Sequence, residues 1–327
     1  MKRRMSGKMS GRMALNLCFA GVLLLTLFLT VPSSQAKTPI QLVSASMGGD
    51  TYFWIAVASK ILNEELTDYE FSVRAGTTSA NMVQLEKGEI PIAYGNALIY
   101  ATMYKREALK TSRIREIWMM NGRAWILIVP KDSPAKTIYD LKGKKISCGI
   151  RTGEGAIFLD YINALGFSKD DFKLFFIGKG EGIEAFKSGS VDALACVSVI
   201  PSSMFSQAAA SRRGARLIEL SDSDVEKILP PRKPFESLSV IPAGTHPEIE
   251  KDVKAIMGWD PLCARDDLSS ELVYRIAKAL HKRHKDLIQA FPPAKYSTAE
   301  NLIENHGFPI HSGTERFLKE LKLGGVK

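Results

Sequence analysis

The chain has 327 residues, of which 45% are hydrophobic and 24% charged, and it is long enough for two lobes with their own cores. Its formal net charge is +9, but residues 1–36 hold five basic and no acidic residues, so the remainder carries only +4. A surplus this small, without a stripe of aromatic and basic residues, argues against a nucleic-acid-binding protein.

Residues 1–36 have the pattern of a secretory signal peptide. A basic stretch ending at Arg12 precedes an uncharged apolar run over 13–31, and Ser34-Gln35-Ala36 offers small residues for cleavage after Ala36. The run is long enough to cross a bilayer, so an uncleaved anchor is the alternative. We expect a periplasmic protein.

Three cysteines follow this segment: Cys148, Cys196 and Cys263. An odd number permits at most one disulfide, and the apolar surroundings of Cys148 and Cys196 favour buried free thiols.

The first part of the chain alternates strand and helix patterns. Gly88 ends the second helix, as a left-handed C-cap does. This order predicts a parallel sheet covered by helices. Strands are predicted at 40–46, 71–75 and 90–94, and helices at 52–66, 78–87 and 97–103.

A second series of the same kind begins at Trp125 and includes a helix that ends at Gly189. Its strands are predicted at 125–129, 145–149, 173–177, 191–199 and 216–220, and its helices at 156–165, at 182–188 and after Pro201.

From Asp222 onward, the alternation of strand and helix patterns is less regular. We predict a strand at 253–262, one long amphipathic helix at 269–290 and a last helix at 314–323. Because the tail lacks strand character, we expect it to pack on the first lobe. The expected organisation is a discontinuous lobe 1 (37–124 and 266–327) and an inserted lobe 2 (125–265).

Two turns carry glycine and threonine, each after a strand pattern and before a helix pattern. They are Met47-Gly48-Gly49-Asp50-Thr51-Tyr52 and Gly149-Ile150-Arg151-Thr152-Gly153-Glu154-Gly155. Backbone N–H groups are unpaired at a helix start and the helix dipole is positive there, so an anionic ligand can be held. Two such turns in separate halves of an exported protein indicate a ligand bound between two lobes.

Longer motifs resemble a known family. They are Gly48-Gly49-Asp50-Thr51-Tyr52-Phe53, Gly76-Thr77-Thr78-Ser79-Ala80-Asn81, Ile241-Pro242-Ala243-Gly244-Thr245, Arg265-Asp266-Asp267-Leu268 and Pro309-Ile310-His311-Ser312-Gly313-Thr314. Together they resemble the TAXI branch of TRAP-transporter solute receptors, over nearly all of the chain beyond residue 36. The resemblance implies an α/β, two-lobed type II periplasmic-binding-protein fold, in which each lobe is a mainly parallel sheet flanked by helices and a cleft separates the lobes.

The same resemblance implies a receptor that is not an enzyme. It would close over a small carboxylate-bearing solute, an amino acid or organic acid, and deliver it to integral-membrane TRAP permease subunits. An exported sensor of the same fold, signalling to a membrane partner, is the alternative. No catalytic constellation, cofactor motif or metal site is predicted: His281 and His284 lie three apart but among basic side chains.

This chain departs from the family pattern at two places. The second turn reads Thr152-Gly153-Glu154-Gly155 where the family usually has Gly-Ser-Gly-Thr, and Asn96-Ala97-Leu98 lacks an acid that is usual there. Glutamate, which characterised relatives bind, is therefore not assumed as the solute.

The candidate ligand-binding residues are of three kinds. Those at helix starts are Gly48, Gly49, Thr51, Tyr52, Thr77, Thr78, Asn81, Thr152, Gly153 and Glu154. Arg123 and Arg151 are candidate partners of a carboxylate. Asn96, Ser198 and Pro201 are candidate wall residues at strand ends. A structural role is the alternative throughout: helix capping for the threonines, solvent exposure for the arginines, and interaction with the helix dipole for Glu154.

Overall fold

The computed structural model describes residues 36–45, 47, 50–105, 113–151, 154–304 and 306–324. Within these residues, ten strands form one mixed sheet with helices packed on it, so the predicted α/β class is confirmed. The strands are β1 (Thr38–Val43), β2 (Tyr69–Arg74), β3 (Ile92–Tyr94), β4 (Ile114–Val129), β5 (Lys145–Ser147), β6 (Lys173–Phe175), β7 (Ala193–Val199), β8 (Arg216–Ile218), β9 (Glu236–Ile241) and β10 (Val253–Arg265).

The helices begin and end largely where local signals place them. Gly88 and Gly189 have φ of 74° and 82°, and each ends a helix by donating its N–H to helix carbonyls. Ser269 accepts a hydrogen bond from Leu272 N at the start of another. The helices are α1 (Asp50–Glu65), α2 (Thr78–Lys87), α3 (Ala97–Lys105), α4 (Glu154–Ala164), α5 (Lys179–Ser188), α6 (Ser203–Ala209), α7 (Asp222–Ile228), α8 (Ser270–Lys282), α9 (His284–Ala290), α10 (Ala299–Leu302) and α11 (Ser312–Glu320).

The middle of the sheet is antiparallel, whereas its flanks are parallel. The strand order is β2-β1-β3-β10-β4-β7-β5-β6, with β8 beside β4 and β9 beside β10. The predicted parallel pairing is present between β1 and β3 and among β5, β6 and β7. In contrast, β10 is antiparallel to β3, β4 and β9, and β4 is antiparallel to β7. The antiparallel middle of the sheet is built on the two long strands β4 and β10, of 16 and 13 residues, which lie side by side.

The same two long strands contribute to different hydrophobic clusters. Trp118 and Leu262 belong to a cluster with Leu42, Trp54 and residues of α8 and α11. Near the C-terminal end of β4 and the N-terminal end of β10, which lie together, Trp125, Leu127 and Ile256 belong to a second cluster with residues of α4, such as Phe158. The C-terminal helix thus packs with the N-terminal strands, as its sequence pattern suggested. The lobe boundaries themselves stay a prediction, since Pro39–Lys327 forms one compact unit.

Several elements differ from the sequence-based expectation, and α7 and α10 were also not predicted. Strand β4 begins at Ile114, not at Trp125, and β9 was not predicted at all. The helix predicted over 269–290 is two helices that meet at Arg283. The Arg283 guanidinium lies 3.0 Å from a carboxylate oxygen of Glu64 and 3.2 Å from one of Glu65 on α1, a tertiary contact that the helical pattern does not reveal. Among the helices of the described residues, none has the length and apolar character needed to cross a bilayer.

Candidate functional site

Four neighbouring antiparallel strands, β7, β4, β10 and β9, form the floor of a cleft. Arg123 on β4 pairs with Gly258 on β10, and Gly258 pairs with Glu236 on β9, so the three lie in one row across the sheet. Paired residues project to the same face, as do residues two apart on one strand. Trp125 and Ile256, each two positions from this row, therefore face the same cleft and line it.

The other wall of the cleft comes from two helices. Ile157 and Tyr161 are four residues apart on α4 and so share one helix face, while Asn96 and Leu98 lie at the start of α3. The cleft encloses about 350 Å³, its open mouth included.

Asp260 is the centre of a buried polar network at one end of the cleft. It is fully buried on β10, two residues beyond Gly258. One carboxylate oxygen accepts hydrogen bonds from the Tyr94 hydroxyl (3.0 Å) and Asn96 Nδ2 (2.9 Å). The other accepts from Asn121 Nδ2 (3.0 Å) and from Arg123 Nε. Four donors thus hold this carboxylate in one position.

Arg123 is fixed by these bonds and by the start of α1. Its Nη2 donates to Thr51 Oγ1 at 2.9 Å, and the Asp50 carboxylate lies 4.0 Å from Nη1. Burial alone would lower the pKa of Arg123, but the charge of Asp260 raises it, so the guanidinium stays protonated. A guanidinium has five N–H groups, and hydrogen bonds to described residues use only two of them. The others remain for a ligand in the cleft.

Glu236 lies at the other end of the cleft floor. Its Oε1 accepts a hydrogen bond of 2.8 Å from the Tyr161 hydroxyl, whereas its Oε2 is buried and accepts no hydrogen bond from any described residue. The nearest cation is Arg232, with Nε 3.7 Å from Oε2. Burial raises the pKa of Glu236 to about 7, against the opposing effects of the Tyr161 hydrogen bond and the Arg232 charge.

Three residues predicted as ligand-binding from the sequence are brought together here. Asn96 and Arg123 line the cleft, and Thr51 is bonded to Arg123. All three are linked to Asp260, which the sequence reasoning missed. Tyr52 follows Thr51 on α1 and is half-buried.

The predicted residues on α2 lie outside this network. Thr77 is an N-cap by its backbone, but its side chain makes no capping hydrogen bond, and Thr78 is half-buried. Asn81 is buried and donates to the carbonyl of Ser44 at 3.0 Å, so it ties α2 to the end of β1. None of the three lines the cleft.

Two predicted residues of the second series, Glu154 and Arg151, make contacts outside the cleft. Glu154 forms an ion pair of 3.0 Å with Lys179, which also donates to the carbonyl of the cleft residue Val197. Arg151 is exposed, and its guanidinium lies 5.0 Å from the centre of the Phe176 ring. Neither Glu154 nor Arg151 lines the cleft.

Ser198 and Pro201 do not line the cleft either. Ser198 pairs with Ala124, so its side chain projects from the sheet face opposite that of Val197 and Arg123. Pro201 is half-buried after a cis peptide bond. The remaining predicted residues, Gly48, Gly49, Thr152 and Gly153, lie outside the described residues.

The described part of the chain has no group of three side chains suited to a metal ion. The imidazole of His284 bonds to the carbonyl of Ala294, and His281 packs on Phe317. The thiols of Cys148 and Cys196 are buried and free, which confirms the prediction from their surroundings, and the thiol of Cys263 is buried and free as well.

An α/β fold with a polar cleft on its sheet is shared by many proteins, and sequence comparison places this one more narrowly. The chain belongs to the NMT1-like family, whose sequence profile matches residues 42–321.

Solved structures with a similar course of the backbone are periplasmic or extracellular binding proteins. One is the periplasmic aliphatic sulphonate binding protein SsuA from Escherichia coli, with 14% identity over 88% of this chain and 79% of that one, and a TM-score of 0.46. A second is the probable amino-acid ABC transporter extracellular-binding protein ytmK from Bacillus subtilis, with 16% identity, coverage of 80% and 100%, and a TM-score of 0.49. A third is a binding protein component of an ABC phosphonate transporter from Pseudomonas aeruginosa, with 13% identity, coverage of 80% and 81%, and a TM-score of 0.49. Identities this low say nothing about which solute a protein binds.

Proposed function

We propose that this protein is an extracytoplasmic solute receptor of a TRAP transporter, of the TAXI branch, that binds a small carboxylate-bearing solute in the cleft described above. The signal-peptide pattern of residues 1–36 and the motifs shared with that branch support the compartment and the transporter type. The receptor delivers the solute, an amino acid or organic acid, to membrane permease subunits and does no chemistry on it.

The observation that carries this proposal is the oriented guanidinium of Arg123. Asp260 and Thr51 hold it from two sides, and N–H groups remain for a ligand at the cleft surface. A fixed, planar set of donors matches the two oxygens of a carboxylate. Since the fixing bonds come from within the protein, the arrangement is preorganised for the solute.

The two long strands also suit a receptor that closes on its ligand. β4 and β10 connect hydrophobic clusters on either side of the cleft row, and such connecting strands are where a hinge between two lobes bends. In this proposal the lobes are residues 37–124 with 266–327, and residues 125–265.

The test of solute binding uses the purified protein and a panel of amino acids and organic acids. Trp125 lines the cleft, so its fluorescence should change on binding, and thermal melting should shift upward with solute concentration. If neither signal changes with any member of the panel, up to millimolar concentrations, the proposed solute class is ruled out.

A matched substitution tests the location of the site. A Cβ at Gly258 would lie 3.9 Å from Glu236 Cγ and Oε1, an ordinary contact distance, and valine suits a strand. Gly258→Val should therefore melt within about 3 °C of the wild type but bind solute at least tenfold more weakly, because its side chain occupies the cleft floor. Unchanged affinity in this variant would place the site elsewhere.

The transporter type has its own test. Uptake of the identified solute into vesicles that contain the permease should follow an imposed ion gradient without ATP. Uptake that requires ATP hydrolysis would assign the receptor to another transporter class.

A further inference from the structure

The charges around the cleft are not those of a site for a plain anion. At one end, the positive charge of Arg123 is balanced by Asp260, and Asp50 lies 4.0 Å from the same guanidinium. This end can donate hydrogen bonds to a carboxylate but offers little uncompensated positive charge.

At the other end, carboxylates also outnumber cations. Arg232 is engaged by Asp160, through its side chain and its carbonyl, and by the carbonyl of Ile228. Glu236 Oε2 forms an ion pair with Arg232 Nε at 3.7 Å, too long for a hydrogen bond, and this Nε has no hydrogen-bond partner among the described residues either. The Lys179–Glu154 pair near the edge of the cleft adds no net charge. The ionised site is therefore net negative.

Glu236 itself is incompletely bonded. Its side chain is 5% exposed, it lines the cleft, and no residue that the structure describes donates a hydrogen bond to its Oε2. Buried carboxylate oxygens are normally bonded, and each missing bond lowers stability. The Trp125 side chain also lines the cleft, and aromatic faces attract cations. The ring of Tyr161, the other aromatic residue there, already has the Arg232 guanidinium 4.9 Å from its centre.

We propose that Glu236 binds a protonated amine of the solute, so that the cleft selects amine-bearing, zwitterionic solutes over organic acids of the same size. This inference rests on the proposed function, because it names the second group of a solute whose carboxylate binds Arg123.

The spacing of the two ends suits such a molecule. Arg123 and Glu236 are separated by one strand, so their Cα atoms are about 10 Å apart, or two strand spacings. Both side chains line the cleft. Gly258, between them, has no side chain, so the floor is open where the body of a small amino acid would lie.

The experiment compares matched pairs of solutes by isothermal titration calorimetry on the wild-type protein. The pairs are L-glutamate and glutarate, L-leucine and 4-methylpentanoate, and 4-aminobutyrate and butyrate. In any pair that binds, the amine-bearing member should bind at least tenfold more tightly, because it makes a charged hydrogen bond that its partner lacks.

The variant Glu236→Gln assigns the selectivity to one residue. It keeps an acceptor for Tyr161 but removes the charge, so the ratio of affinities within a pair should fall to less than threefold. Glu184→Gln is the matched control, since Glu184 is exposed and paired only with Lys187 in the next turn; its ratio should equal that of the wild type.

The outcomes separate the two proposals. Equal affinities within the pairs, or tighter binding of the amine-free member, would overturn the amine inference and leave the carboxylate receptor intact. Selectivity that survives in Glu236→Gln would show that another group binds the amine. Binding of no member of any pair would overturn the amine inference for these solutes, whereas the carboxylate receptor is overturned only if the wider panel of amino acids and organic acids also fails to bind. The comparison on the wild type stands even if Glu236→Gln does not fold.

Discussion

Asp260→Asn tests the buried network of the site most directly. Asparagine has the shape of aspartate, but it removes the negative charge opposite Arg123 and replaces one acceptor oxygen by an NH₂ group. That group would face donors, because all four partners of Asp260 donate to it. The variant therefore leaves a buried guanidinium without its counter-ion and two donors in conflict.

The expected loss of stability follows from these contacts. Removing one member of a buried ion pair costs about 3–5 kcal/mol. The lower end applies here, because 14% of the Arg123 side chain is exposed and Asp50 lies 4.0 Å away. For a unit of about 290 residues, roughly 3 kcal/mol corresponds to a fall in Tm of about 5 °C. Solute affinity should fall as well, since Arg123 is no longer held in place.

Thermal melting and urea unfolding of the two proteins measure the effect. The matched control is Asp68→Asn, which removes a carboxylate from an exposed pair with Arg275 and should leave Tm within 1 °C of the wild type. If Asp260→Asn also melts within 1 °C of the wild type, the buried carboxylate does not stabilise Arg123 and the account of the site is wrong.

Three further predictions concern pH, packing and thiol chemistry. Folding raises the pKa of Glu236 to about 7 from 4.5, so the folded chain binds the extra proton and its stability falls as pH rises across this interval. The Tm of Glu236→Gln relative to the wild type should thus be higher at pH 8 than at pH 5, whereas a constant difference would contradict the shift. Gly313→Ala should lower Tm by several degrees, because its Cβ would lie 2.4 and 2.8 Å from backbone atoms of α8, while Gly180→Ala, with open space around it, should not. The native thiols should not react with a disulfide reagent at pH 8 until urea is added, since burial raises the pKa of Cys148 to about 11 and of Cys196 to about 12; rapid reaction of either would contradict their burial.

Local elements of this fold were predictable because their signals are local. Gly88 and Gly189 end helices in the left-handed conformation that the sequence pattern indicates, and Ser269 caps α8. The break at Arg283 was not predictable, since its cause is a contact with acidic residues of α1, more than 200 positions earlier.

The site was predictable only in part for the same reason. Thr51, Asn96 and Arg123 each follow a local rule: a helix start, a strand end, a candidate carboxylate partner. Asp260 and Glu236 follow none, because they join the site only through the register of β10 with β4 and β9. The start of β4 was missed for a related reason: Asn121 and Arg123 interrupt its apolar pattern where the cleft lies.

The two ends of the cleft contribute differently to selectivity. Arg123 is already bonded by Asp260 and Thr51, so a bound carboxylate adds bonds to a group that is satisfied on one side. Within the described part of the chain, one oxygen of Glu236 has no hydrogen bond, and a solute amine would supply the missing partner. A solute without the amine leaves that oxygen buried and unbonded, and sites of this kind reject such analogues far more strongly than apolar pockets reject a missing methylene. We therefore expect the Glu236 end, more than the Arg123 end, to decide which carboxylates this protein binds.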